Sequence, residues 1–410
     1  MLTPFDDYPV HQTALPVAHA GGGHSDHYDR FWFNGYDEQM YFALAFGLYP
    51  SRGIIDAAFS VVHDGVQRSV FASGRIPLDR TRTSIGPISV EIVEPLRVNR
   101  ILVDAAEHGL VADLTATART PAHEEPRATK YDGTELRTDS TRATQMVTWT
   151  GQLASGGQDI RVNDGTYGTK DRSWGIRGVG ERTPVAPRTA LPQVFFLWAP
   201  LNFADECLHY VVMENEAGQP WLERTAVLPV LGEKSPVFGP DTGIRWLRGV
   251  RHEVRWAPGL RRSAGASLLL APGETVELEP LQTFRMKGVG YLHPTWGHGR
   301  WHDELAVGGE TFKVAELDTI APTVCTFSRS YARSGVTESD SACWSSSSSD
   351  PTNPVDSAAC STARRNDPSI CAVRSVRLLL PDEPQGEWNA SGPRRARERH
   401  RHRLAGPPVG

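Results

Sequence analysis

The chain has 410 residues, of which 39% are hydrophobic and 22% charged, and its formal net charge at pH 7 is −5. A chain of this length is too long for a single hydrophobic core and long enough to form two. The slightly acidic balance gives no reason to expect a nucleic acid as partner of the folded body. No apolar run approaches the ~18 residues that predict a membrane-spanning helix, so we expect no transmembrane segment.

The beginning of the chain predicts an irregular lead-in, because residues 1–27 are rich in Pro, His and Gly. Its first residues, MLTPFDDYPVHQ, lack the basic region and apolar stretch of a secretory signal. Four of the five cysteines follow residue 324, so Cys207 stands alone in the body and cannot form an internal disulfide. We therefore expect a cytoplasmic protein.

From Phe31 onward the pattern consists of short β-type runs separated by turn residues. Asp64-Gly65 predicts a hairpin between the runs 54–63 and 69–74. The run 110–118 alternates apolar and polar residues, as a half-buried strand does. Further runs are at 41–49, 100–105, 144–151, 193–201, 207–215, 245–256, 275–286 and 302–309.

Helical periodicity is hard to find, and many short strands at steady spacing predict a sandwich or barrel rather than an α/β fold. We expect an all-β protein of two consecutive antiparallel barrels. The first would span residues 28–142, including a Pro-, Arg- and Gly-rich connector at its end, and the second residues 143–324.

The remaining residues, 325–410, have a different composition, with a serine run, scattered cysteines and a final arginine cluster. Such a segment cannot bury enough apolar surface to offset its ordering entropy, so it predicts a disordered tail. Two explanations compete: a native basic tail that binds nucleic acid or anionic membrane, or a frameshift that replaced the native end. The abrupt change directly after a strand pattern favours the frameshift.

Three segments resemble the lipocalin-like, calycin-type family that contains the carotenoid 1,2-hydratases (hydroxyneurosporene synthases): residues 31–50, 165–177 and 193–203. The most specific is Asp171-Arg172-Ser173-Trp174-Gly175, which is similar to the family's D-H-x-W-G motif. The resemblance implies two lipocalin-like barrels and an elongated apolar ligand, such as an isoprenoid, a steroid or another lipid.

The resemblance also implies the chemistry of a hydro-lyase without a cofactor. A carboxylic acid protonates an alkene, and water captures the resulting cation. Such an acid must be kept neutral by apolar surroundings, and aromatic faces stabilise the cation. Two departures matter: Arg172 replaces the motif's His, and Val212 stands where the family has Asp in a Tyr-x-Asp pair. We expect Arg172 to keep the neighbouring Asp171 ionised.

The candidate catalytic acids are Asp171 and Asp56, the latter because it interrupts the apolar run 54–63. A buried carboxylate is costly unless it is paired or serves a purpose. The alternative for Asp171 is an ion pair with Arg172 or Arg177. The candidate ligand-binding residues, each of which also fits ordinary core packing, are Tyr36, Asp37, Tyr41, Trp149, Tyr167, Trp174, Trp198 and Tyr210.

Other sites are less favoured. His293, His298 and His302 invite a metal interpretation, but glycines around them argue against one helix face, and we predict no metal site. The main alternative function is a non-catalytic carrier of an apolar ligand. A glycan-binding module is a further alternative, suggested only by the tryptophans Trp246, Trp256, Trp296 and Trp301. The sequence does not define the oligomeric state.

Overall fold

A computed structural model of the protein describes residues 7–9, 23–163, 165–181, 195–259, 263–270, 274–316, 327–332 and 341–347. Within these ranges the regular structure is β-strand apart from short 3-10 helices at Pro50–Arg52, Ala106–His108, Met286–Val289 and Val314–Glu316. The predicted all-β, antiparallel class is therefore confirmed. In the same ranges, no helix has the length and apolar character needed to cross a membrane.

The strands follow one another closely along the chain. In order they are β1 His27–Tyr36, β2 Met40–Tyr49, β3 Ile54–His63, β4 Val66–Arg75, β5 Ser84–Ile85, β6 Ile88–Glu94, β7 Val98–Ala105, β8 Leu110–Ala118, β9 His123–Glu124, β10 Ala128–Asp132, β11 Glu135–Ser155, β12 Gln158–Val162, β13 Tyr167–Arg177, β14 Phe195–Asn202, β15 Glu206–Glu214, β16 Pro220–Pro229, β17 Arg245–Leu247, β18 Arg251–Trp256, β19 Ser263–Leu270, β20 Glu274–Leu278, β21 Phe284–Arg285, β22 Leu305–Lys313, β23 Phe327–Ala332 and β24 Ser341–Ser347.

The first sheet has the strand order β22-β4-β3-β2-β1-β13-β11-β8-β7-β6-β5, with β9, β10 and β12 also paired to β11. The sheet curls until β5 comes against β3 and β4, and we call the result the first barrel. Alternate side chains of each strand point to opposite faces, so Phe31 and Phe33 pack in its lumen with Phe42, Phe59 and Trp149. The lumen is a filled hydrophobic core.

Both faces of β1 and β2 are buried, which explains why β2 is continuously apolar. β1 also buries the polar residues His27, Asp29, Arg30 and Asn34. The lumen covers one face. The other face, which carries Trp32, Tyr36 and Tyr41, packs against Trp198 and Phe284 from later in the chain. We call this outer contact region the junction.

The first sheet continues past the boundary that the sequence placed between residues 142 and 143. That boundary falls inside β11, and the sheet runs on through β13 to Arg177. The first half of β11 is only partly buried, yet it pairs with β10 and β13. Backbone pairing needs no apolar side chains. The polar composition of the first half of β11 is therefore compatible with a strand, although it resembles that of a connector.

The two smaller sheets form the second barrel. One has the order β17-β16-β15-β14-β24-β23-β21, and the other has the order β18-β19-β20. Between them lies a second apolar core that includes Leu197, Leu208, Val212, Leu268 and Leu278.

Two of these strands belong to the segment predicted to be a disordered tail. The backbone of β24 pairs with β14, and β23 pairs with β24 and β21. Backbone hydrogen bonds can recruit a segment to the edge of a sheet whatever its composition, and the disorder of the tail stays a prediction. The rest of 325–410 lies outside the described residues.

Candidate functional site

Asp171 lies on β13 at the junction and is buried. Its Oδ2 is 2.9 Å from Nε of Arg142. Burial raises its pKa to about 6, against the lowering effect of Arg142.

The expectation that Arg172 would hold Asp171 ionised is wrong. Arg172, one residue further along the strand, points into the first barrel, where it pairs with Asp29 at 2.6 Å and lies over the Phe31 ring.

A chain of polar contacts continues from Arg142 towards the second barrel. The guanidinium is 3.2 Å from Glu125, and Glu125 accepts a hydrogen bond from the Trp198 indole at 2.9 Å. His209 lies 3.7 Å from the same carboxylate and shares a 2.8 Å hydrogen bond with His123. Burial lowers the pKa of both histidines to about 3, so they are neutral near pH 7.

Asp56 on β3 lies in a second buried polar group. It accepts hydrogen bonds from the Tyr49 hydroxyl at 3.1 Å and from the backbone N–H of Gly299 at 2.6 Å. Burial raises its pKa to about 6, although these bonds and the nearby Arg30 oppose the shift. Asp56 and Asp171 thus share the property that a proton donor needs, a carboxylic acid that is partly neutral near pH 6.

The predicted ligand-binding residues do not lie together. Trp149 fills the first lumen, and its indole donates to the carbonyl of Asn34 at 2.8 Å. Tyr36 and Tyr41 stack on each other at the junction. The Tyr36 hydroxyl accepts a hydrogen bond from Asn202. Asp37 accepts two backbone hydrogen bonds, from Gln39 and Met40, and so shapes the β1–β2 turn.

Three more of these residues occupy different surroundings. Tyr167 is half-buried beneath the Arg119 guanidinium, 4.8 Å from its ring centroid. Trp174 packs against the small cluster of Leu96 and Val237. Trp198 belongs to the polar chain at the junction. The described residues therefore give no single apolar tunnel that all the predicted side chains line.

Tyr210 marks a separate polar group inside the second barrel. Its hydroxyl is 2.9 Å from Nδ1 of His252, and Nε2 of that ring is 3.5 Å from Glu214. Phe195 stacks on the His252 ring, with centroids 5.3 Å apart. Burial lowers the pKa of His252 to about 4. Burial, followed by repulsion from Glu223, raises the pKa of Glu214 to about 7.

Sequence reasoning found Tyr210 but missed its two partners. Glu214 does not occupy the family's acidic position, where this chain has Val212. It nevertheless lies four residues after Tyr210 on one strand, and even spacing along a strand places both side chains on the same face. The sequence gives no reason to single out His252. It belongs to the run 245–256, in which the turn at Gly249 was not predicted.

The remaining candidates are dispersed. His293 faces Glu310, His298 contacts Arg30, and His302 packs against Trp296. In the part of the chain that the structure describes, no three potential ligands are grouped to hold a metal ion.

The four tryptophans suggested for glycan binding also have different surroundings. Trp246 and Trp301 are exposed beneath arginines, Trp296 stacks on Phe71, and Trp256 packs against the second core.

Comparison with solved structures gives distant similarities. One is to a crystal structure of NE1406 from Nitrosomonas europaea, assigned as an AttH protein, with a TM-score of 0.48 and 13% identity over 84% of this chain and 99% of that one. Two structures of CghA, one with Sch210972 and one without, have TM-scores of 0.40 and 12% identity. They cover 85% of this chain and 98% and 96% of CghA, respectively. No curated protein matches the chain.

A family model gives a broader match. It covers residues 2–336 and so continues past Val324, where the predicted tail begins. Since this match spans most of the sequence, the chain belongs to the family described as a family of unknown function, DUF8625.

Proposed function

We propose that the protein binds a small, elongated apolar molecule in the second barrel and transfers a proton to it from Glu214. The observation that carries this proposal is the position of Glu214, beside an apolar core, with a pKa raised to about 7. Among the described residues, the basic group within ion-pair distance of Glu214 is the neutral ring of His252 rather than an arginine. An acid in such surroundings is partly protonated at neutral pH and is suited to general acid catalysis.

Tyr210 is hydrogen-bonded to His252, and the other ring nitrogen of His252 lies 3.5 Å from Glu214. Because burial raises the pKa of Tyr210, its hydroxyl stays protonated and can donate to Nδ1 of His252. This bond favours the tautomer that presents Nε2–H to Glu214. The ring of Phe195 next to His252 provides an aromatic face for a developing cation.

The step consistent with these groups is hydration of an alkene. Neutral Glu214 gives its proton to one alkene carbon and leaves a cation on the other. Water adds to the cation and returns a proton to the Glu214 carboxylate, so the acid is regenerated. Asp56 and Asp171 remain predicted acids, and both are held more tightly than Glu214 by hydrogen bonds or an arginine.

The test is mass spectrometry of small molecules after incubation of the full-length protein with a bacterial isoprenoid and lipid extract in ¹⁸O-labelled water. We expect a species heavier than an unsaturated parent by one labelled water. Glu214→Gln should abolish this product, whereas Glu233→Gln, which changes an exposed glutamate, should not. Product formation by Glu214→Gln at the wild-type rate would refute the role of Glu214. An enriched but unchanged ligand with the wild-type protein would establish the carrier alternative.

A further inference from the structure

Three arginines interact electrostatically with Tyr291 at the junction, on strands other than the one that carries Glu214. Arg30 of β1 lies over the Tyr291 ring, 4.9 Å from its centroid, and donates to the hydroxyl at 3.3 Å. Arg142 of β11 and Arg177 of β13 act on the same tyrosine: together with Arg30 they lower its pKa although burial opposes the shift. The direction of this shift shows that the three guanidinium groups favour a negative charge at the Tyr291 hydroxyl.

The three guanidinium groups differ in how their charge is balanced. Arg142 contacts both Asp171 and Glu125. Arg30 is bonded to Tyr291 and to the neutral His298, whose pKa burial lowers well below its usual value. In the described ranges no carboxylate lies within ion-pair distance of Arg30.

Arg177 has still fewer partners. Its guanidinium lies over the ring of Tyr28, 4.7 Å from the centroid, and no side-chain hydrogen bond or ion pair reaches it within the described part of the chain. The segment that follows it in sequence, residues 178–194, contains one carboxylate, that of the exposed Glu181. A half-buried guanidinium with unused donors is costly to keep, which suggests that another molecule supplies the missing acceptor.

The surroundings also restrict the charge and shape of that acceptor. Asp171 and Asp56 both interact electrostatically with Arg30, so three arginines face these two carboxylates and Glu125. The set is close to neutral, which disfavours a dianion such as phosphate. The planar guanidinium matches a carboxylate with two parallel hydrogen bonds. The rings of Tyr28, Tyr291 and Phe196 form aromatic walls next to the arginines.

We propose that the arginine cluster, defined by Arg30, Arg142, Arg177, Tyr28 and Tyr291, binds the carboxylate of a small aromatic acid through Arg177. A second nearby feature fits a bound polar ligand. The indole Nε1 of Trp32 and Oδ1 of Asp171 are buried and have no hydrogen-bond partner among the described residues, and Trp32 pairs with Asp171 across β1 and β13. This site is separate from Glu214 and does not depend on the proposed function.

The test is isothermal titration calorimetry of the full-length protein with 2-naphthoate and with its neutral amide, at constant ionic strength. We expect naphthoate to bind at least tenfold more tightly than the amide. Arg177→Gln should remove this preference, Arg177→Lys should keep part of it, and Arg161→Gln, which changes an exposed arginine of β12, should leave it intact.

Thermal unfolding without ligand separates a binding role from a structural one. Because Arg177 has no ion pair to lose, Arg177→Gln should unfold at the wild-type temperature or above it. The proposal is overturned if the wild-type protein binds acid and amide equally or not at all, or if Arg177→Gln keeps the preference for the acid. A marked fall in unfolding temperature for Arg177→Gln would also overturn it, because Arg177 would then be a structural residue.

Discussion

The guanidinium of Arg142 lies 2.9 Å from Asp171 and 3.2 Å from Glu125, so one cation is shared by two buried carboxylates. The three residues come from β11, from β13 and from the residue after β9, and Glu125 also meets Trp198 of β14. This ion triad therefore joins the first sheet to the second barrel. It also explains how Asp171 can be buried on an otherwise aromatic face.

Replacement of Arg142 by Met should be strongly destabilising. The change removes the guanidinium that pairs with both Asp171 and Glu125, and breaking a buried ion pair from one side costs about 3–5 kcal/mol. The measurement is the free energy of unfolding from urea denaturation at pH 7.5. Asp171→Asn should cost less, since Arg142 would still have Glu125.

The matched control for this prediction is Arg127→Gln. Arg127 pairs with Asp139 on the surface, and its side chain is 67% exposed, so the loss should stay below about 1 kcal/mol. Similar losses for the two arginine variants would show that the triad contributes no more than a surface pair.

The His123–His209 pair should make stability depend on pH. Both histidines have a folded pKa of about 3, below the ordinary value of 6.5. Their contribution is therefore complete above pH 6.5 and is lost as the pH falls towards 3. The expected slope is roughly 1.4 kcal/mol per pH unit for each histidine in the middle of that window.

The test of this slope is the pH profile of unfolding for the wild type and for a His123→Gln/His209→Gln variant between pH 4 and 6.5. Asp56 and Asp171 act in the opposite direction, because their pKa values are raised to about 6 and their contribution falls as the pH rises. Both proteins contain these carboxylates, so their contribution to the pH dependence of stability cancels in the comparison. Parallel profiles would contradict the neutral state of the histidine pair.

Much of the fold could be predicted from local pattern, because strand runs and turn residues are local signals. The Asp64-Gly65 hairpin is found between β3 and β4, where Asp64 has a positive φ. The run 245–256 was predicted as one strand but is two, since the chain turns at Gly249, which has a φ of +71°. A strand such as β24 forms because its backbone pairs with the edge of a neighbouring strand. Its amino-acid composition therefore does not predict it.

The candidate site was harder to predict, because its contacts depend on which face of a strand each side chain occupies and on partners that are far away in sequence. Adjacent residues of a strand face opposite sides, so Arg172 could not neutralise Asp171, whereas Arg142, 29 positions away in sequence, does. Conversely, Tyr210 and Glu214 share a face. Residue type alone does not carry this information.

Gly168 should tolerate no side chain. A Cβ at this position would lie well under 3.0 Å from both the carbonyl oxygen of Asn34 and Nε1 of Trp149. The clash with the backbone of β1 cannot be relieved by a side-chain rotation, so Gly168→Ala should cost about 3 kcal/mol or more. Gly178→Ala is the control, because a Cβ added there would meet nothing within 4 Å. Urea denaturation of both variants checks the difference, and equal stabilities would contradict the close β1–β13 approach.

Replacement of Glu214 by Gln should stabilise the protein at high pH. The folded pKa of Glu214 is raised from 4.5 to about 7, so its contribution is complete below pH 4.5 and is lost as the pH rises through 7. Glutamine stays neutral and avoids this loss, which predicts a gain of about 1–2 kcal/mol at pH 8.5 and little difference near pH 4.5. Urea denaturation at the two pH values gives the comparison. If the variant gains nothing at pH 8.5, Glu214 has an ordinary carboxylate pKa, and it cannot be the neutral acid that alkene protonation requires.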